Sequence, residues 1–161
     1  MMIVIWLILI LIFVSFGLIV VVGAPYVPTK KSDLVKLFEH LKLRKGAKLV
    51  DMGSGDGRVL ILASKKGCRA TGYELNPILA LISKIRLQRF KQSKVLIKSY
   101  WAADISKADV VFLFSAQPFM GRMFDKLQNE LKPGAIVISY GFSFAAKKID
   151  KKFESFNIYE F

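Results

Sequence analysis

The feature that most constrains the fold is an alternation of short apolar runs and longer helix-like runs that begins at residue 47. Strands separated by helices of this length form βαβ units, which predict a mainly parallel sheet with helices on both faces. The predicted strands are Ala47–Met52, Arg69–Glu74, Lys94–Lys98, Asp109–Ser115, Ala135–Tyr140 and Phe153–Tyr159. The predicted helices are Arg58–Lys65, Pro77–Lys91 and Phe119–Leu131. We therefore expect residues 47–161 to form a doubly wound, Rossmann-like α/β domain.

The first 24 residues have a different character. Met2–Gly23 contains no charged residue, and its 22 positions, at about 1.5 Å per residue, are enough to cross a hydrocarbon core of roughly 30 Å. A secretory signal peptide is the alternative, but it requires a positively charged start and a shorter apolar core. No Lys or Arg precedes this run. We predict a retained single-pass transmembrane anchor at residues 1–24.

The distribution of charge predicts the orientation of this anchor. The chain carries 25 Lys and Arg against 12 Asp and Glu, a net charge of +13, and every charged residue follows the apolar run. Positive flanks stay on the cytoplasmic side, which predicts a cell-membrane protein with its N-terminus outside and its folded domain in the cytoplasm. A basic surface suits an anionic leaflet. It also suits nucleic acid, a partner that the anchor makes less expected.

Residues 25–46 are predicted to link the anchor to the domain. Pro25 and Pro28 end the membrane helix and favour an extended segment. Ser32 is a candidate N-cap for an amphipathic helix. Its apolar positions recur at intervals of three and four residues: Leu34, Leu37, Phe38 and Leu41. We expect the single cysteine, Cys68, to pack in the core, and the single histidine, His40, to have no catalytic role.

A glycine-rich turn follows the first predicted strand. Gly53, Gly55 and Gly57 permit a tight turn and a close approach of a ligand to the backbone, and the turn leads into a helix N-terminus. The spacing G-x-G-x-G differs from the dinucleotide fingerprint G-x-G-x-x-G, whose third glycine would fall at Arg58. The turn therefore indicates a ligand site of another kind.

Two acidic residues narrow the choice of ligand for this turn. Asp51 precedes the first glycine, where a carboxylate would repel a pyrophosphate but would suit an amino group. Glu74 ends the second predicted strand, 17 residues beyond Gly57, where an acid can accept hydrogen bonds from ribose hydroxyls. A ligand with an adenosine and an amino-acid end, but no phosphate, is S-adenosylmethionine (SAM).

The segments VDMGSGDGRV and GYELNP resemble the glycine and acidic motifs of class I (seven-β-strand) SAM-dependent methyltransferases. The resemblance runs from about Tyr26 to Tyr159. It extends to membrane-associated lysine methyltransferases whose mitochondrial members modify the ATP synthase c-subunit and the adenine nucleotide translocase. Those proteins share a hydrophobic N-terminal segment and a PYVPT-like stretch, here Pro25–Thr29. The resemblance implies methyl transfer to a lysine amine of a protein, and a membrane-associated protein is the expected partner.

The resemblance also implies roles for individual residues. The methionine end of SAM is expected to contact Asp51, Gly53, Ser54, Gly55 and Gly57. The ribose is expected to contact Glu74, with Leu75 and Asn76 beside it. Tyr100 and Trp101 are expected to flank the adenine, with plain core packing as the alternative, and Ser115 is expected to face the methyl donor.

Methyl transfer to lysine requires a neutral amine held in line with the S–CH3 bond. A lysine amine with a pKa of about 10.4 must lose its proton, and an apolar pocket promotes this by desolvation. Candidate acceptors of the proton or its hydrogen bonds are Tyr26, Thr29 and Gln117. The sequence contains no cluster with metal-ligand spacing, so we predict no metal.

The C-terminus is short for this fold. Class I sheets usually end with a hairpin of strands six and seven, but only 21 residues follow the fifth predicted strand. They hold one clear strand, Phe153–Tyr159. We therefore expect the seventh strand to be absent, shortened or supplied by another chain, and the resulting exposed edge to be a candidate homo-oligomer contact.

Two other functions stay open from the sequence. The first is an anchored RNA or small-molecule methyltransferase, which the charge of +13 favours. The second is a SAM-binding but inactive membrane scaffold. A shortened C-terminus favours it, as does Ser99, which stands where the family often has an acid.

Overall fold

The computed structural model describes residues 2–6, 10 and 27–161, and residues 2–6 and 10 are helical. The predicted anchor at residues 1–24 lies for the most part outside these residues, and the candidate Tyr26 lies outside them as well. Within the described ranges, no helix combines the length and the apolar character that crossing a bilayer requires. The anchor therefore stays a prediction.

Residues 27–161 form an α/β domain with short connections. Its helices are α1 (Lys31–His40), α2 (Arg58–Lys65), α3 (Pro77–Leu87) and α4 (Met120–Glu130). Its strands are β1 (Lys48–Met52), β2 (Arg69–Glu74), β3 (Lys94–Ile97), β4 (Val110–Leu113), β5 (Ile136–Tyr140), β6 (Lys151–Phe153) and β7 (Phe156–Glu160). Two 3-10 turns lie at Tyr100–Ala102 and Gln117–Phe119.

All seven strands form one sheet in the order β3-β2-β1-β4-β5-β7-β6. The strands β1 to β5 are parallel, and β7 runs antiparallel to β5. Helices α1, α2 and α3 pack on one face of the sheet, and α4 packs on the other. The predicted doubly wound α/β class is therefore confirmed, and the strand order reverses between β1 and β4, where such sheets bind ligands.

Of the three alternatives for the seventh strand, absence and supply by another chain are wrong, and the shortened strand is confirmed, because the hairpin contains a strand of only three residues. The segment predicted as one strand is split by a turn at residues 154 and 155, where Glu154 has a φ of +48°. β6 precedes this turn and β7 follows it, so the chain supplies its own hairpin. β6 was missed because it has only three residues, two of them exposed lysines. The strand β6 is now the edge of the sheet on this side, and a homo-oligomer contact through the edge stays a prediction.

Most other boundaries agree with the sequence to within two residues, with two informative exceptions. Helix α3 ends at Leu87 rather than at the predicted Lys91. The predicted N-cap at Ser32 is wrong, because α1 begins at Lys31 and the Ser32 hydroxyl donates to Asp33 Oδ1 instead (3.0 Å). Cys68 is buried as predicted, and this burial raises the pKa of its thiol.

The carboxylate of Asp109 joins three segments at the amino ends of the strands. Its Oδ2 accepts from the backbone N–H of Lys48 (2.8 Å), and its Oδ1 accepts from Arg44 Nη2 (2.8 Å) and Lys132 Nζ (2.5 Å). Burial opposes ionisation, but the hydrogen bonds from Lys132, Lys48 and Arg44 outweigh it and hold the pKa of Asp109 well below 3.8. The ionised form of Asp109 therefore stabilises the fold.

We expect Asp109→Asn to lower the free energy of unfolding by about 1–3 kcal/mol at pH 7, because a charge-assisted acceptor is lost. A carboxyl whose folded-state pKa is depressed stabilises above its unfolded pKa and loses that effect as the pH falls. The difference from the parent, measured by urea unfolding, should therefore shrink as the pH drops below about 4. The exposed Asp125→Asn is the control and should change little. A pH-independent difference would contradict this role.

Candidate functional site

The glycine turn between β1 and α2 is bonded to the end of β2. Gly53, Gly55 and Gly57 have φ values of +100°, +52° and +79°, a region that favours glycine. The N–H groups of Gly53 and Ser54 both donate to the carbonyl of Tyr73, each at 3.0 Å. The turn is therefore fixed in place by the neighbouring strand, and the predicted residues of the turn lie together at the carboxyl edge of the sheet.

Glu74 connects the turn to the start of α3. Its Oε2 accepts from the N–H of Gly55 (2.8 Å), and its Oε1 accepts from the N–H of Asn76 (2.7 Å). The Asn76 side chain in turn caps α3 by accepting from Ile78 N and Leu79 N, while its buried Nδ2 has no partner among the described residues. Leu75, half-buried, lies between them. The predicted ribose contacts thus form one bonded unit with the turn.

Asp51 is the most buried acid of the site, with 2% of its surface exposed. Burial raises the pKa of Asp51 well above 3.8, and the nearby carboxylates of Glu74 and Asp56 raise it further. A positive charge beside Asp51 would reverse this effect, since an opposite charge favours the ionised carboxylate. The position is therefore suited to a ligand with a cationic group.

Two close packings fix the shape of the turn, and sequence reasoning missed both. A Cβ at Gly57 would lie 2.3 Å from Ser83 Oγ of α3. A Cβ at Gly72, in the middle of β2, would lie 2.5 Å from Ser54 Oγ and 2.7 Å from Leu60 Cδ1. A glycine inside a strand signals such a close approach, so the sequence did contain a sign for Gly72.

A network of charges surrounds Asp56, the acid inside the turn. Its carboxylate accepts from Arg58 Nε (2.9 Å) and Nη2 (2.9 Å), and from Arg86 Nη1 of α3 (2.5 Å). Burial would raise the pKa of Asp56, but the hydrogen bonds from Arg58 and Arg86 prevail and lower it. Arg58 Nη1 also donates to the carbonyl of Thr29 (2.7 Å), which attaches the segment before α1 to the turn.

The segment at residues 27–33 extends along the site to β5. Thr29 is 5% exposed and is bonded to the turn through Arg58. Four residues later, Asp33 Oδ2 accepts from the Tyr140 hydroxyl at the end of β5 (3.0 Å). The candidate Thr29 therefore lies at the carboxyl edge, whereas sequence spacing contained no sign of the Asp33–Tyr140 contact.

The remaining predicted residues follow β3 and β4. Tyr100 and Trp101 occupy a half-buried 3-10 turn, and the Trp101 ring carries the Arg122 guanidinium at 4.1 Å from its centroid. Burial raises the pKa of Tyr100. Ser115 is buried at the end of β4, and Gln117 is exposed in the next 3-10 turn. Ser115 and Gln117 are therefore at the same edge as the glycine turn.

Three half-buried aromatic residues, here called the aromatic wall, lie beside Ser115: Phe114, Tyr140 and Phe142. The Phe114 ring packs edge-on against Tyr140 with centroids 4.9 Å apart, and it stacks with Phe142 at 6.3 Å. The Phe142 carbonyl accepts from Ser139 Oγ (2.7 Å) and Asn157 Nδ2 (2.9 Å), which fixes its loop. Asn157 belongs to β7, so the hairpin contributes directly to the site.

Comparison with known proteins identifies the family. The family described as ANTKMT methyltransferase domain matches residues 51–151, more than half of the chain. The chain belongs to this family. The predicted resemblance to class I lysine methyltransferases is thereby confirmed, and the match begins at Asp51 and includes the whole glycine turn.

Named lysine methyltransferases are similar to this chain over most of its length. The human lysine N-methyltransferase of the ATP synthase c-subunit is 38% identical over 123 residues, which are 74% of this chain and 52% of that protein. A protein-lysine N-methyltransferase of Saccharolobus islandicus is 32% identical, over 73% of this chain and 76% of that protein. The chain thus spans about half the length of the human relative.

A solved structure supports the fold and the cofactor. An RNA methyltransferase from Salinibacter ruber, crystallised with S-adenosyl-L-homocysteine, is 28% identical with a TM-score of 0.75. The alignment covers 83% of this chain and 91% of that one. S-adenosyl-L-homocysteine is the product that SAM leaves after methyl transfer, so SAM is the cofactor of this ANTKMT domain.

We expect Gly72→Ala to lower the free energy of unfolding by about 1–3 kcal/mol, since its Cβ overpacks the space occupied by Ser54 and Leu60. Urea unfolding measures this loss. Gly121→Ala is the matched control because a Cβ at this helical position meets no described residue within 4 Å, and it should be neutral or stabilising by up to about 1 kcal/mol. Equal effects of the two substitutions would contradict the packing of the turn on Gly72.

Proposed function

We propose that this chain is a SAM-dependent protein lysine N-methyltransferase that acts on a membrane-associated protein. The observation that carries the proposal is the glycine turn bonded to the end of β2, with Asp51 and Glu74 beside it. The names of the relatives support a lysine substrate. The uncharged run at residues 2–23 supports a membrane location, with the domain on the cytoplasmic side as the charges predict.

The residues at the turn fit the methionine end of SAM. A Cβ at Gly53 would meet no atom of the described residues within 4 Å, which leaves open space beside the backbone for a ligand. Burial raises the pKa of the Asp51 carboxyl, and the ammonium group of SAM beside it would lower that pKa again and favour the carboxylate that pairs with it. We assign this end of the cofactor to Asp51, Gly53, Ser54, Gly55 and Gly57. When bound, SAM supplies an electrophilic methyl group on its sulfur.

Glu74 fits the ribose. Each of its carboxylate oxygens accepts one backbone N–H and retains capacity for a second hydrogen bond. The two oxygens are thereby oriented before any ligand arrives, which lowers the cost of ordering them on binding. The Nδ2 of Asn76, which has no hydrogen-bond partner among the described residues, offers a further polar contact. Tyr100 and Trp101 are proposed to flank the adenine, with Trp101 stiffened by Arg122.

The aromatic wall fits an incoming lysine side chain. Its rings replace water around the amine, and loss of hydration lowers a lysine pKa and favours the neutral, nucleophilic form. Aromatic faces also attract the cationic, methylated product. Thr29, Gln117 and Tyr26 remain the proposed hydrogen-bond acceptors for the amine. Thr29 and Gln117 both lie at this edge of the sheet, and Tyr26 lies outside the described residues.

Methyl transfer to RNA is a second candidate. The name of the Salinibacter ruber relative and the net charge of +13 favour it. The shortened C-terminus gives less support to the inactive-scaffold alternative, because the chain forms its own C-terminal hairpin. Ser99 instead caps the 3-10 turn by accepting from the Trp101 N–H (3.3 Å).

We expect the full chain to bind SAM in isothermal titration, and Glu74→Gln to weaken binding by at least about tenfold, because a ribose hydrogen bond to a charged group contributes about 1.5–3 kcal/mol. Glu39→Gln, an exposed residue of α1, is the matched control and should bind like the parent. Thermal unfolding of both variants separates loss of binding from loss of fold. Unchanged affinity in a folded Glu74→Gln protein would remove Glu74 from the ribose site.

We expect the full chain in lipid vesicles to transfer label from methyl-tritiated SAM to lysine in proteins of the source organism's membrane fraction.

Phe142→Leu should lower kcat/KM for the protein substrate about three- to tenfold with unchanged SAM affinity, since the contact that favours the lysine amine through cation–π attraction and loss of hydration is weakened. Phe153→Leu, a half-buried ring on β6, is the matched control. Label that ribonuclease removes would favour the RNA candidate, and absence of label with tight SAM binding would favour the scaffold.

A further inference from the structure

Helix α3 is apolar on two sides. Its inner side packs against the sheet through Leu79, Ala80, Ser83 and Leu87. Its outer side carries four more apolar residues at positions i, i+3, i+4 and i+7: Ile78, Leu81, Ile82 and Ile85. Leu81 is 57% exposed and Ile85 is 55% exposed. A surface helix of a soluble domain normally has polar residues on its outer side, so this outer stripe indicates an interaction surface.

The surroundings of the stripe are basic. Residues 77–91 contain four exposed cations and no acid: Lys84, Arg86, Arg89 and Lys91. Arg86 is engaged with Asp56, and Arg89 lies one turn beyond Ile85. An apolar stripe bordered by Lys and Arg is the pattern of a helix that lies in the interface of an anionic bilayer.

The place where the N-terminal segment joins the domain is bonded to α3. Thr29 O accepts from Arg58, Arg58 is paired with Asp56, and Asp56 is paired with Arg86 of α3. Val27, just before this junction, is 56% exposed. The 22 residues of Met2–Gly23, without any charge, precede it by only a few positions. The point at which the described domain begins is therefore linked to α3 by direct contacts, and the uncharged run precedes it closely in sequence.

We propose that the outer stripe of α3 docks on an anionic lipid bilayer and orients the domain on it. Ile78, Leu81, Ile82 and Ile85 enter the interface, and Arg89 and Lys91 contact acidic headgroups. Helix α3 begins next to Glu74 and Asn76, so docking places the glycine turn at a fixed height above the membrane. This surface does not depend on which substrate receives a methyl group.

The experiment uses the full chain with Cys68→Ala and one new cysteine that carries an environment-sensitive fluorophore. The probe is placed at Leu81→Cys on the stripe, or at Gln128→Cys, an exposed residue of α4 on the opposite face of the sheet. Both proteins are inserted in phosphatidylcholine vesicles with or without phosphatidylserine. Quenching by lipids with a nitroxide on the acyl chain reports contact with the interface.

In vesicles with phosphatidylserine, we expect quenching at Leu81 to exceed quenching at Gln128 at least about threefold, as an interfacial helix requires. Adding Arg89→Glu and Lys91→Glu should reduce this ratio towards its value in vesicles of phosphatidylcholine alone. Equal, weak quenching at the two positions would overturn the proposal. Two other results would also overturn it. The first is a probe at Leu81 that becomes shielded from water in lipid-free detergent as the protein concentration rises, which indicates contact with a second copy. The second is a probe at Leu81 that becomes shielded only when a protein substrate is added.

Discussion

The carboxylate of Asp56 is the contact on which the geometry of the site depends. It lies in the turn after β1 and is bonded to Arg58 at the start of α2 and to Arg86 in the last turn of α3. Two arginines for one half-buried carboxylate offset its desolvation, which is why its pKa falls despite burial. Arg58 then binds the carbonyl of Thr29. One acid therefore aligns two helices, the glycine turn and the segment before α1.

The candidate site brings three acidic residues together in a strongly basic chain, and their different partners indicate what kind of ligand the site suits. Asp51, Asp56 and Glu74 lie close enough for Glu74 and Asp56 to raise the pKa of Asp51, yet only Asp56 is paired with arginines. Glu74 is satisfied by backbone N–H groups instead. Asp51 and Glu74 are thus carboxyl groups without an ion-pair partner among the described residues. A ligand with an ammonium group and hydroxyl donors, such as SAM, matches that arrangement, whereas a pyrophosphate does not.

The parallel part of the fold could be predicted from the sequence because buried strands and the helices between them leave strong local patterns. Arg69–Glu74 and Arg58–Lys65 were placed to the residue. The hairpin could not be predicted, because β6 consists of two exposed lysines and Phe153, and Glu154 turns the chain in place of a glycine. Short, lysine-bearing edge strands protect a sheet from pairing with other chains, and the same composition conceals them from pattern reading.

The candidate site shows the same difference between local patterns, which the sequence reveals, and long-range contacts, which it does not. The two motifs could be located in the sequence because their spacing is local, whereas Gly72 was overlooked although a glycine inside a strand is a sign of close packing. The contacts of Arg86 with Asp56 and of Tyr140 with Asp33 join residues 30 and 107 positions apart, and no periodicity records such pairs. These long-range contacts are the ones that hold the N-terminal segment along the carboxyl edge. Because the Arg86–Asp56 contact reaches α3, the proposed membrane-docking surface of α3 is connected to the glycine turn. A substitution at Asp56 would therefore disturb the glycine turn and the position of α3 together, whereas one at Leu81 would alter only the proposed docking surface.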